Sequence, residues 1–105
     1  FNISSYALLA HIIGKMTNMV PKGIIGDLSN VHIYEPHSDA VKEQLSRDVN
    51  KYDKCELDIY DDVRYLEDPT LEIDAKIQNL KIADFKLKNY NSYPSIKAEM
   101  LAYNI

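Results

Sequence analysis

Apolar residues recur every three or four positions in the first part of the chain. The stripe consists of Tyr6, Leu9, Ile13 and Met16, and Leu8 and Ile12 widen it. This spacing predicts an amphipathic helix from Ile3 to Met16, with Asn2 or Ser4 placed to cap its start and Pro21 shortly after its end. Because almost no charge precedes Lys15, we expect a core helix that is buried on most of its sides.

A different pattern, the alternation of apolar and polar residues, follows between Gly23 and Tyr34. Val31 and Ile33 alternate with His32 and Tyr34, and β-branched residues are frequent in this stretch. The pattern predicts an extended segment that ends in a strand. Since side chains two residues apart on a strand point to the same side, we expect His32 and Tyr34 to share one face.

The rest of the chain alternates between helix-like and strand-like stretches. We expect helices from Pro36 to about Arg47 and from Pro69 to about Leu80, strands at Glu56–Tyr60 and Phe85–Leu87, a turn at Asp61–Pro69 and a loop around Pro94. Together these elements predict an α+β fold, a mixed sheet with a buried core helix, in a single domain spanning residues 1–105.

Composition sets limits on the fold and on the partners of the chain. It has 105 residues, of which 46% are hydrophobic and 27% are charged, as expected for an ordered domain with one core. Its formal net charge of −4, without a block of basic residues, argues against a nucleic-acid or anionic-membrane surface. No apolar run approaches the roughly 20 residues that are needed to span a bilayer.

The only cysteine, Cys55, excludes an internal disulfide framework and indicates a reducing compartment, the cytoplasm. A lone cysteine can be a catalytic nucleophile. However, Lys54 and Glu56 beside it supply neither a helix N-terminus nor an activating base, so we interpret Cys55 as structural. Because the chain begins with Phe1 instead of Met, we expect it to be a trimmed form, a processed piece or one segment of a longer reading frame.

General signatures of catalysis are missing from the sequence, which has no glycine-rich phosphate loop, no cluster of metal ligands and no nucleophile elbow. The strongest candidate site is His32 with Tyr34, because an imidazole and a phenol on one face can converge on a single ligand hydroxyl. The alternative interpretation is that both groups are partly buried and hydrogen-bonded to the backbone.

Three stretches, taken in order, resemble consecutive motifs of the thymidylate synthase family. They are FNISSYALLAHIIGKM at the start, NVHIYEPHSDAVKEQLSR in the middle and LKNYNSYPSIKAEM near the end. The first differs from the family's FNIASYALL signature only at Ser4, and the spacing between the motifs also agrees. The resemblance covers nearly the whole chain and implies that it is the C-terminal portion of such an enzyme.

The family converts dUMP to dTMP with 5,10-methylenetetrahydrofolate as one-carbon donor and reductant, through covalent attack of a cysteine on the pyrimidine. The resemblance implies that Asn2 hydrogen-bonds the uracil ring and that Phe1 contacts the folate. It implies equally that His32 and Tyr34 hold the 3′-hydroxyl of the nucleotide sugar. It further implies a homodimer in which each active site borrows residues from the partner subunit.

The chain departs from the family pattern in two respects. Leu28–Val31 stands where the family usually has Gly-Gly-Asp-Thr, and the bulkier side chains would crowd the pyrimidine. The catalytic cysteine, most phosphate-binding arginines and the folate-contacting tryptophans of the family precede the first motif. We therefore expect no catalytic residue here, no activity or folate binding by the chain alone, weak or absent dUMP binding, and a missing N-terminal half as partner.

Two alternatives remain open. A deoxycytidylate hydroxymethylase is a sibling enzyme in which an aspartate tends to replace the asparagine that faces the base, so Asn2 favours uracil. A stand-alone domain without catalysis would keep a structural, partner-binding or weak nucleotide-binding function. The nearly uncharged first helix favours a segment of a larger enzyme, and we expect self-association, as a homo-oligomer, through its exposed core face.

Overall fold

The computed structural model describes residues 1–59 and 67–101 and belongs to the α+β class. Its regular elements are helix α1 (Asn2–Thr17), a 3₁₀ turn (Glu35–His37), helix α2 (Ser38–Ser46), strand β1 (Glu56–Ile59), helix α3 (Ile73–Gln78), a second 3₁₀ turn (Ile82–Asp84) and strand β2 (Phe85–Lys88). They divide into two compact units, the first made of Phe1–Asp27 with Cys55–Tyr90 and the second of Leu28–Lys54 with Asn91–Ile105. A single domain over residues 1–105 stays a prediction.

Helix α1 forms where the apolar periodicity predicts it, but its start differs from the expectation. Phe1 is the N-cap and no side chain caps the helix, so the prediction of a cap from Asn2 or Ser4 was wrong. At the other end Asn18 adopts the left-handed conformation with φ 55°, and the Met19 N–H donates to the Gly14 carbonyl at 2.9 Å. The Gly14 carbonyl thus accepts from two N–H groups at the end of the helix, those of Asn18 and Met19.

The expectation of a buried core helix is corrected by the exposure of α1. Gly14 is its only buried residue, whereas Tyr6 is 65% exposed and Leu9 and Ile13 are 47% and 46% exposed. The physical reason is that an apolar stripe is buried only where another element lies against it. The described part of its own unit covers this stripe only in part, at Ile12 and Met16.

The sheet consists of β1 and β2, which pair antiparallel with Glu56 opposite Lys88 and Ile59 opposite Phe85. The alternation places charged residues on one face, where Lys88 forms an ion pair with Asp58, and apolar residues on the other. Both strands agree with the sequence pattern. The expected mixed sheet is corrected to an antiparallel pair within residues 1–59 and 67–101.

The strand predicted at the end of Gly23–Tyr34 does not form. Residues 31–34 carry no regular secondary structure, although Tyr34 keeps extended dihedral angles of φ −74° and ψ 138°. The physical reason is that a strand is defined by pairing, and the described strands pair only with each other. The alternating pattern therefore predicted the extended backbone of Tyr34, but it could not predict whether another strand would pair with it.

The two shorter helices agree with the sequence to different degrees. Pro36 opens the 3₁₀ turn that leads into α2, as its fixed φ favours, and α2 ends at Ser46. Helix α3 is shorter than predicted because Thr70 donates from its backbone N–H and its hydroxyl to the Asp68 carboxylate, at 2.9 and 2.7 Å. These hydrogen bonds close a turn and lower the pKa of Asp68.

Two further observations concern the described residues as a whole. Tyr60, the last residue of the predicted strand, lies outside them, and so does most of the turn predicted at Asp61–Pro69.

None of the helices within the described residues is both long and apolar enough to cross a membrane. Residues 91–101, which we call the C-terminal segment, contain neither helix nor strand, as predicted around Pro94.

Candidate functional site

Phe1 and Asn2 lie at the start of α1, in the first unit. The Ser5 N–H donates to the Phe1 carbonyl at 2.9 Å, the first hydrogen bond of the helix, and the Phe1 ring is fully exposed. Asn2 is also exposed, and its carboxamide forms no hydrogen bond with any residue that the structure describes. Both the donor and the acceptor of that amide are therefore available to a ligand.

His32 lies in the second unit, immediately after the stretch Leu28–Val31 that departs from the family pattern. Its Nδ1 lies 3.2 Å from the Asn30 carbonyl. Because a carbonyl oxygen only accepts, this contact is a hydrogen bond in the tautomer that carries its proton on Nδ1, and in that tautomer Nε2 is an acceptor. The backbone of the departing stretch thus favours one tautomer of the residue that follows it.

Tyr34 packs against another aromatic side chain, one turn along the chain. Its ring meets that of His37 edge to face, with centroids 5.9 Å apart and an interplanar angle of 83°. The His37 N–H donates to the Tyr34 carbonyl at 2.9 Å across the 3₁₀ turn. This turn fixes where the Tyr34 ring lies relative to His37, while Tyr34 remains 48% exposed.

His37 makes a second contact, which no pattern in the sequence predicted. Its Nε2 lies 2.7 Å from the carbonyl of Glu99, in the C-terminal segment. The proximity to Tyr34 could have been inferred, because Pro36 favours a turn that brings residues three apart together. The contact with Glu99 spans 62 positions of sequence and has no local signal.

A group of aromatic and basic side chains holds the beginning of the C-terminal segment. The Tyr93 hydroxyl bridges the backbone of Asp48, accepting from its N–H and donating to its carbonyl, each at 3.2 Å. The Tyr93 ring contacts the edge of Tyr52, and the cations of Arg47 and Lys51 lie 5.1 and 4.7 Å from its centroid. Tyr93 is therefore fixed against the end of α2.

Other candidate groups are distributed as follows. Arg47 is engaged by the Glu43 carboxylate at 3.5 Å as well as by Tyr93, and Arg64 lies outside the described residues. Cys55 and His11 both line an open cavity of about 660 Å³ between α1 and the strand pair. Residues 1–59 and 67–101 contain no group of three or more side chains able to hold a metal ion.

The four residues singled out by the sequence fall into two pairs. Phe1 and Asn2 are neighbours in the first unit, and His32 and Tyr34 belong to the second. Within the second unit the Tyr34 ring is in contact with that of His37. The shared face of His32 and Tyr34 stays a prediction, because residues 31–34 do not form the strand from which it was derived.

Comparison with known proteins gives a consistent result. The thymidylate synthase of Enterobacteria phage T4 is 42% identical over 103 residues, that of Malacoplasma penetrans 37% over 103 residues and that of Homo sapiens 36% over 100 residues. Each alignment covers 95% of this chain but 35%, 30% and 28% of the respective relative. The chain thus spans about a third of the length of the curated relatives that it matches.

No solved structure matches the chain significantly. The family model described as thymidylate synthase, in contrast, matches residues 1–102 and so includes all three motifs and all four candidate residues. On this match, the chain belongs to the thymidylate synthase family.

Proposed function

We propose that this chain is the C-terminal part of a cytoplasmic thymidylate synthase, which methylates dUMP to dTMP with 5,10-methylenetetrahydrofolate. The observation that carries the proposal is the family match over residues 1–102. The matched range includes Asn2, His32 and Tyr34. The proposal assigns nucleotide binding to this part of the enzyme and the covalent step to the part that precedes it.

Asn2 is assigned to the uracil ring. Uracil presents a donor at N3–H and an acceptor at O4, and one carboxamide can pair with both. The exposed side chain of Asn2, which has no hydrogen bond within the described residues, supports this role. Phe1, whose ring is exposed next to it, is assigned to the folate.

His32 and Tyr34 are assigned to the 3′-hydroxyl of the sugar. Nε2 of His32 can accept a hydrogen bond from that hydroxyl, since the Asn30 carbonyl engages Nδ1. Tyr34 offers a phenol that can donate to or accept from the same oxygen. A hydroxyl held by both side chains is oriented as well as bound.

The upstream part of the enzyme is assigned as the partner that covers α1. Burying one exposed Leu or Ile side chain contributes about 1.5–3 kcal/mol, so covering the α1 stripe contributes on the order of 5 kcal/mol. That amount is comparable to the whole stability of a small domain. The proposal therefore includes assembly with the upstream part, and homodimer formation by the complete enzyme.

A chimera tests the proposal. It joins the upstream part of the phage T4 enzyme to residues 1–105 of this chain, in place of the matching segment. We expect the chimera to support growth of a thymidine-requiring bacterium and to form dTMP from dUMP in vitro. The upstream part without any C-terminal segment is the control and should do neither. A folded chimera that neither binds dUMP nor forms dTMP would contradict the proposal.

A further inference from the structure

His37 lies between two parts of the second unit that are far apart in sequence. Its ring and that of Tyr34 meet edge to face, and its Nε2 lies 2.7 Å from the carbonyl of Glu99. Since a carbonyl only accepts, Nε2 must carry a proton and donate it in this hydrogen bond. One imidazole therefore contacts a ring on one side and the backbone of the C-terminal segment on the other.

The C-terminal segment depends on such contacts for its position. It has no helix or strand of its own, so no ladder of backbone hydrogen bonds holds it. Among its fastenings to the rest of the unit are the Tyr93 hydroxyl on Asp48, beside the ring contacts of Tyr93, and His37 on Glu99. The first holds the beginning of the segment against the end of α2, and the second holds its distal part beside Tyr34.

We infer that His37 is a positioning residue that couples the Tyr34 side of the nucleotide site to the C-terminal segment. This inference rests on the proposed function, because it takes Tyr34 to contact the sugar of dUMP. A nucleotide that orders the Tyr34 ring also orders the imidazole packed against it, and with it the hydrogen bond to Glu99. By linkage, a segment fastened to His37 favours the Tyr34 position that binds the nucleotide.

Two substitutions of His37 separate its two contacts. His37→Phe keeps a ring against Tyr34 but removes the donor to Glu99. His37→Gln keeps an amide donor but removes the ring. Tyr93→Phe is the matched control, because it removes the hydroxyl hydrogen bonds of the same segment with Asp48 and leaves His37 unchanged. All are made in the chimeric synthase, which contains the whole chain.

Hydrogen exchange of the peptide that covers residues 95–101 is measured with and without dUMP, together with dUMP affinity. In the unsubstituted protein we expect dUMP to slow this exchange. His37→Phe should speed it about fivefold without nucleotide, as expected for one lost hydrogen bond, and should weaken dUMP binding by the factor by which dUMP slows the exchange in the unsubstituted protein. His37→Gln should leave the exchange nearly unchanged and weaken dUMP binding about fivefold.

The decisive readout is the effect of dUMP on the segment. It should disappear in both His37 variants, although each keeps one contact, and persist in Tyr93→Phe. Persistence of the dUMP effect in either His37 variant, or unchanged exchange in His37→Phe without nucleotide, overturns the inference. Failure of the unsubstituted chimera to bind dUMP instead overturns the proposed function and, with it, the link to the nucleotide. Faster exchange in His37→Phe without nucleotide tells the two failures apart.

Discussion

The carboxamide of Asn2 offers one donor and one acceptor, whereas a carboxylate offers acceptors only. This difference of one atom is enough to choose between pyrimidines, because uracil presents an acceptor at O4 where cytosine presents an amino donor. At the residue scale, the specificity of the proposed site therefore depends on a side chain that no described residue engages.

Asn2→Asp in the chimera should lower kcat/KM for dUMP by about two orders of magnitude, because two acceptors then face each other at O4. Binding of dCMP should improve at the same time. The measurement is kcat/KM for dUMP with dCMP affinity determined in parallel. Asn91→Asp, which adds the same charge at an exposed position of the C-terminal segment, is the control. Equal losses in the two variants would argue against a uracil contact at Asn2.

At the scale of elements, the end of α1 depends on one unusual backbone conformation. Asn18 has φ 55° and ψ 40°, which glycine adopts freely, asparagine tolerates and β-branched residues strongly avoid. The chain can then turn so that the Met19 N–H reaches the Gly14 carbonyl. Replacements at Asn18 should therefore act through the backbone and not through lost side-chain contacts.

Asn18→Val should destabilise the chimera by about 1–2 kcal/mol, the cost of a β-branched residue in the left-handed region. Asn18→Gly should be neutral or stabilise by about 0.5 kcal/mol. The measurement is urea unfolding, in which the midpoint shifts while the dependence on denaturant stays constant. A valine variant as stable as the parent would mean that α1 does not end in this conformation.

The sequence predicted those elements that local rules determine. The period of α1, the proline before α2 and the alternation in β1 and β2 were each sufficient for the correct element. The strand at Val31 and Ile33 and the burial of α1 could not be predicted, because both depend on a partner surface that no local pattern describes. For the same reason the pattern drew attention to His32 and Tyr34 but not to His37, whose contact with Glu99 depends on tertiary structure.

At the scale of the whole molecule, the exposed stripe of α1 determines how the isolated chain should behave in solution. Tyr6, Leu9 and Ile13 present adjacent apolar side chains on one face. Contiguous apolar surface of this kind is rare on monomeric proteins and favours association. In the isolated chain, without the proposed upstream part, we expect other copies of the chain to cover the apolar stripe of α1.

We expect light scattering of the isolated chain to give an average mass above 12.1 kDa that rises with concentration. Leu9→Lys should lower that mass by placing a charge in the stripe. Leu45→Lys is the matched control, since Leu45 is 80% exposed on α2, outside α1, and its replacement should change nothing. A strict monomer at high concentration would contradict this prediction, and equal effects of both variants would place the association elsewhere.

The discontinuity of the second unit also determines the order in which the chain can fold. Leu28–Lys54 and the C-terminal segment are separated by Cys55–Tyr90, and the fastenings of Tyr93 and His37 join residues 45 and 62 positions apart. Contacts of such long range form late, because the entropy of closing a large loop is lost before they can stabilise anything. During synthesis this unit therefore remains unfinished until the segment that contains Tyr93 and Glu99 has been added. A chain cut off before Tyr93 would contain the residues of every described helix and strand, but neither fastening could form.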